Sequence, residues 1–253
     1  MQIPNNRQAE RRAQDRIETQ IANRFETRLQ REIARSIRDG ADAYEAGSSI
    51  ESAVASHDDA VRRAIERMYT DAYTQIGERV LDQIEQSSKS APRLERKELP
   101  DAIRRTLDAF ISRWAEFKAM EISSTTRNWI RQSVQRGIED GLGVDDVGAM
   151  IRGRAPEISA YRAHMISRTE THSAANAASL DVAEDSGIVR MKVWVPVDDH
   201  RTRRGEFDHV NVDPVPIGEP FRVSGDELRH PGDPAGSPGN IINCRCAMVY
   251  ETR

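Results

Sequence analysis

The stretch EISAYRAHMISRTETHSAANAASLDVAEDSGIVRMKVWVPV, residues 157–197, changes character at Gly187. Before it, the spacing predicts a helix over about Glu157–Asp185. After it, Val189, Met191, Val193, Val195 and Val197 alternate with Arg190, Lys192, Trp194 and Pro196, the two-residue period of a strand. Upstream, helical patterns dominate. Downstream, Pro214, Pro216, Pro220, Pro231, Pro234 and Pro238 mark long loops before a final strand over Ala247–Glu251. The fold class is therefore mainly α with a small C-terminal α+β or β-rich module. Three regions are expected: a helical arm and docking region over 1–95, a helical body over 96–187, and the β-rich module over 188–253.

Working back from Glu157, the pattern predicts a short helix over Val144–Arg152 that stops before Pro156, preceded by a turn at Gly141-Leu142-Gly143. Further helices are expected over about Thr125–Gly137 and from Pro100 through Phe117. Ser87–Ser90 with Ala91 and Pro92 reads as a linker, and Asp58–Gln86 as a helix burying Val61, Ile65, Met68, Ala72, Ile76, Val80 and Ile84. The first helix is expected over residues 5–39, broken at Gly40 and over the stretch Glu45–Ser49. Its apolar row, Ile17, Ile21, Phe25, Leu29, Ile33 and Ile37, steps strictly by four. Such a row drifts by about 40° per step on a helix of 3.6 residues per turn. A partner must cross it obliquely, in the manner of i±4 ridges packing into grooves. The row is read as a partner-binding face, with a solvated arginine-rich face opposite.

The chain has 253 residues, formal net charge −4, 38% hydrophobic and 31% charged residues, a balance that suits long solvated helices better than a thick globule. This charge does not announce a nucleic-acid binder. No apolar run approaches the roughly 18–20 residues that span a bilayer, and the N-terminus lacks a signal-peptide hydrophobic region, so a soluble protein is expected. Two cysteines, Cys244 and Cys246, make no disulfide framework and fit synthesis in a reducing cytosol.

Chemistry-bearing residues crowd into the last third. Ser167-Arg168-Thr169-Glu170-Thr171 is followed by Ala174-Ala175-Asn176, then Lys192-Val193-Trp194, then Asp198-Asp199-His200-Arg201-Thr202-Arg203. His209, Pro216-Ile217-Gly218-Glu219-Pro220-Phe221 and Asn240-Ile241-Ile242-Asn243-Cys244-Arg245-Cys246 complete the order. Over roughly residues 100–250 this order resembles the C-terminal module of phage Mu protein F-like minor head proteins. The resemblance implies a low-copy internal head protein that associates with the portal vertex, is packaged in the virion, and helps assembly and genome packaging or delivery. Its implied partners are the portal protein, a major capsid or scaffolding protein, and packaged DNA. It would be made in the host cytoplasm and is expected not to be an enzyme. A DNA-binding accessory protein and a metal- or cysteine-dependent enzyme are the competing readings.

For the cysteines two chemistries stand open. Thiolates and imidazole suit a structural zinc, with Cys244, Cys246 and His209 as ligands and His230 as a further source. Otherwise both thiols are small buried hydrophobes. Arg168 is expected to anchor on Asp198 or Asp199, and Glu170 to pair with Arg201 or Arg203. Trp194 and Asn243 complete the motif set as structural residues. No Gly-rich phosphate loop is present.

Overall fold

A computed structural model describes residues 7–87, 101–197 and 199–252. The expected linker lies outside them from residue 88, as do Pro100 and Asp198. The chain is mainly helical: α1 (Arg7–Glu45), α2 (Ile50–Ala55), α3 (Asp58–Ser87), α4 (Asp101–Glu139), α5 (Val144–Asp185) and the single turn α6 (Pro238–Ile241). The strands are β1 (Val189–Val195), β2 (Val215–Pro216), β3 (Phe221–Val223), β4 (Asp226–Leu228) and β5 (Ala247–Thr252).

Three helices run through residues expected to stop them. Gly40 lies inside α1 because its missing side chain makes room for a neighbour: a Cβ there would stand 2.6 Å from Ile130 Cδ1 and 3.3 Å from Val54 Cγ2. The helix ends instead at Gly47 (φ 63°), where Ser48 N donates to Ala43 O at 2.7 Å and Gly47 N to Tyr44 O at 3.1 Å. That is a Schellman cap, which needs a left-handed residue. The two helices expected to end near Phe117 and to start near Thr125 are one, α4, in which Thr125 Oγ1 donates to Glu121 O (2.9 Å) and Thr126 Oγ1 to Ile122 O (2.8 Å). Hydroxyls that bond back to the preceding turn remain compatible with helix. In α5, Pro156 is carried within the helix. An interior proline costs about 3 kcal/mol, and burial of Ile151, Ala155, Ser159 and Ala163 on the same helix opposes that cost.

The chain divides into two compact units. One comprises Asn23–Arg67 and Ile111–Ser167. Its core is built on Leu29, Ile33, Ile37, Val54, Val61, Ile65, Ile130, Val147 and Ile151, all buried. Arg162 ties its helices together, donating to Thr126 Oγ1 at 2.5 Å and Ile122 O at 2.9 Å.

The other unit comprises Met1–Ala22, Met68–Phe110 and Arg168–Arg253. Every residue from Thr171 to Leu180 in α5 is buried, and most are Ala, Ser or Asn. Small side chains let other elements approach this helix from all sides. In this unit β1 is the centre of an antiparallel sheet ordered β2-β1-β5. Lys192 pairs with Tyr250 and Trp194 with Met248, and the register skips Arg190. From Lys192 to Val195 the strand is buried on both faces, so its alternation of residue types is not an alternation of exposure. A second sheet pairs β3 with β4 through Ser224 (φ 48°) and Gly225 (φ 90°). Two central residues at positive φ make the tight hairpin turn that matches strand twist.

The apolar row expected to meet a partner is mostly covered by the chain itself. Ile21, Leu29 and Ile37 are 0% exposed, Ile33 1% and Phe25 7%; Ile17 alone of the six is half-buried. A partner would have to displace the chain's own packing to reach it.

Candidate functional site

The short turn α6 and the strand β5 set the site, all within the second unit. Asn243 adopts φ 54° and its N–H donates to Thr169 Oγ1 on α5 at 3.1 Å. Beyond that pinned residue the chain enters β5 extended, and alternation sends Cys244 and Cys246 to one side and Arg245 to the other. Both thiols are free and buried, at 5% and 4% exposure. Arg245 forks onto Asp199 with 2.8 and 2.7 Å hydrogen bonds, which holds that carboxyl well below the usual carboxylate range.

His209, 1% exposed, faces the two sulfurs: its Nδ1 lies 3.8 Å from Cys244 Sγ and 3.6 Å from Cys246 Sγ. The other ring nitrogen, Nε2, lies 3.2 Å from Asn240 Oδ1. The orientation of Asn240 is fixed because its Nδ2 donates to Val223 O (3.0 Å) and Asp226 Oδ2 (2.8 Å). An amide with both donors engaged presents its oxygen to the ring, so Nε2 carries the proton and Nδ1 offers a lone pair to the sulfurs. Trp194 packs edge-on against His209 (ring centroids 5.4 Å apart) and Phe221 (5.3 Å). Its indole N–H is buried without a hydrogen-bond partner in good geometry among the described residues, and it lies near enough to Cys246 to favour its thiolate.

The two thiols push each other's protonation in opposite directions. A hydrogen bond from Cys246 lowers Cys244 well below the usual thiol range, against burial and with help from His172 and His209. Cys246 is pushed the opposite way by Cys244 and by burial. His172 on α5 adds a fourth group: it hydrogen-bonds Cys244, and its Nδ1 lies 2.8 Å from Glu18 Oε2 on α1. Burial opposes the imidazolium, but Glu18 and Cys244 outweigh it and raise His172 to about 10. Gly232 (φ 73°) permits this packing, since a Cβ there would meet His172 Cδ2 at 2.9 Å.

Of the two carboxylates expected to anchor Arg168, Asp198 lies outside the described residues. Asp199 is occupied by Arg245; Arg168 is half-buried and borders a small polar cavity with Asp15, Glu18, His172, Cys244 and Arg245. Glu170 accepts a 2.6 Å hydrogen bond from Tyr69 Oη. Neither arginine expected to pair with it does so in the described residues: the Arg201 side chain is exposed, and Arg203 donates to the carbonyls of Asn240 and Ile242. His230 stands outside the sulfur group, hydrogen-bonding Pro231 O at 3.1 Å, and burial lowers it to about 4.

Sequence reasoning missed His172, Asn240, Glu18 and Arg245. One signal was present: Thr169, His172, Asn176 and Ser179 recur at helical spacing as a polar stripe on a buried face. All four meet groups outside α5: Thr169 meets Asn243, His172 lies by Cys244, and Ser179 meets the Tyr250 hydroxyl at 2.7 Å. Asn176 Oδ1 accepts from Gln14 of α1 at 3.2 Å.

The site thus lies in a stretch whose order of motifs can be set against known proteins. Residues 128–249 match the family described as Phage Mu protein F like protein. This stretch is similar to the phage Mu protein F-like family. The family is one of phage head morphogenesis, structural rather than catalytic, and suggests a virion component. No curated protein and no solved structure matches the chain. The matched stretch covers all of β1 to β4, the first half of β5, the end of α4 and the whole of α5. Among the described residues no helix is long and apolar enough to cross a membrane.

Proposed function

We propose that the chain is a minor head protein of a tailed phage or phage-like particle. It docks on the portal inside the capsid and acts in head assembly and in genome packaging or delivery. The observation that carries this reading is the match of residues 128–249 to the phage Mu protein F-like family. Burial of both cysteines supports a non-catalytic role, because a cysteine nucleophile needs an exposed, activated thiol. Exposed large apolar side chains supply contact points for the portal: Phe117 (47%), Met120 (57%) and Tyr161 (69%) in the first unit described. The first two lie on α4, three residues apart and so on one helix face.

The test is co-purification of the tagged chain with the portal protein encoded beside it. A stable complex that Phe117→Asp or Met120→Asp weakens, with helicity unchanged, is the expected result. No complex at any salt concentration, with steeply salt-dependent DNA retention instead, would replace this reading by a DNA-binding accessory role.

A further inference from the structure

We propose that Cys244, Cys246, His209 and His172 form a structural zinc site that joins α5 to the C-terminal strands. Three donor atoms, from His209, Cys244 and Cys246, already lie within 4.8 Å of one another, and all three residues are buried. Their spacing is the decisive quantity. With Zn–S near 2.3 Å and Zn–N near 2.0–2.1 Å, tetrahedral geometry sets an S···N edge of about 3.6 Å. The two S···N distances are 3.8 and 3.6 Å. Both sulfurs therefore face the same imidazole nitrogen at the edge length that a shared ion requires.

The surroundings of the ligands point the same way. A ligating histidine characteristically gives its other N–H to a fixed acceptor, which sets the tautomer and the ring plane. His209 does this through Asn240, itself held by Val223 O and Asp226. The Trp194 indole N–H, buried near Cys246 without a well-placed partner, gains one when that sulfur is a metal-bound thiolate. His172 repeats the His209 pattern with a carboxylate, Glu18 Oε2 at 2.8 Å from its Nδ1. His172 and Cys244 line the same small polar cavity, and Asn176 Nδ2 lies 3.2 Å from the other ring nitrogen, Nε2. His172 is not within the 4.8 Å grouping, so its ring has to turn about its side-chain bonds to join the other three ligands. Binding releases the thiol proton held by Cys246 and the proton on the His172 nitrogen that ligates.

This ligand set, two thiolates and two imidazoles, fills a closed tetrahedral site and leaves no position for substrate. It links α5 (His172), the loop before β2 (His209) and the segment just before β5 (Cys244, Cys246), with α1 joined through Glu18. The loops from 199 to 246 contain only short strands and single turns, and a metal staple offsets the ordering entropy of such a region.

The experiment uses the full chain purified without chelator. Elemental analysis should find one zinc per chain, and exchange for Co(II) should give thiolate-to-cobalt charge transfer with tetrahedral d–d bands. Cys246→Ser should lose both. His172→Gln should shift the d–d bands, and Glu18→Gln, which leaves all four ligands in place, should weaken zinc about 10–100-fold in a competition titration. Should Cys246→Ser fail to fold, chelation of the wild-type chain serves: Tm should fall and recover on adding Zn(II). A folded chain with two titratable thiols, no bound zinc and no charge transfer under excess Co(II) would overturn the site. Unchanged cobalt bands in His172→Gln would overturn the fourth ligand.

Discussion

Gly40→Ala separates local helix propensity from packing in one position. Within an α-helix the change should gain about 1 kcal/mol, because alanine loses less backbone entropy. Here the new methyl would stand 2.6 Å from Ile130 Cδ1, and Ile130 is 0% exposed, with no solvent into which to retreat. Overpacking a filled core costs about 1–3 kcal/mol, so the net effect should be destabilisation by about 1 kcal/mol. Ile130→Val removes that Cδ1 atom alone and should cost about 1 kcal/mol by itself. In the double variant the clash is gone and the propensity gain offsets the lost methylene, so stability should return close to wild type. Independent effects would sum to about 2 kcal/mol, so the expected coupling is about 2 kcal/mol in favour of the pair. Urea unfolding followed by far-UV circular dichroism, with the m-value checked for constancy, measures each corner of the cycle. If the double variant is as unstable as the sum of the singles, within about 0.5 kcal/mol, the close approach of Ile130 to α1 is refuted.

Phe221→Ala empties a 0% exposed site beside Trp194 and should cost about 3–5 kcal/mol, read by urea unfolding and by loss of near-UV tryptophan dichroism. Asn240→Leu strands Val223 O and the His209 N–H; leaving buried polar groups unpaired costs about 1–3 kcal/mol each, so thermal unfolding should shift well below wild type. Burial lowers Lys192 to about 8 although its ammonium donates to Arg229 O at 2.8 Å. An ordinary lysine in the unfolded chain titrates higher, so the unfolded state binds more protons between the two values and stability should rise with pH from about 8 to 10. Lys192→Met should flatten that slope, which unfolding curves at closely spaced pH values would show; an unchanged slope would assign the dependence elsewhere.

Which parts of this molecule a reader of the sequence could find depends on the range of the forces involved. The strand β1, the return strand β5, the turn at Gly141 and the helix α3 were legible because periodicity and glycine placement are local properties. The same local reading broke α1 at Gly40, α4 between Phe117 and Thr125, and α5 at Pro156. Each of those residues does weaken a helix in isolation, and each is overruled by a neighbour or hydroxyl bond that periodicity does not contain.

The site divides in the same way. The chemistry of its donors was legible: two thiols one residue apart and a histidine, in an order of motifs that marks the family. That His209 turns Nδ1 to both sulfurs was not legible, because Asn240, Val223 and Asp226 set the ring from other parts of the chain. His172 lay hidden in a helix of small residues, and its proximity to Cys244 exists only once α5 is wrapped on all sides. The apolar row of α1 shows the converse. Sequence alone established that its residues must be covered, and tertiary structure decided that the chain covers most of them itself. Hydrophobicity specifies that water must be excluded; only the packed fold specifies what excludes it.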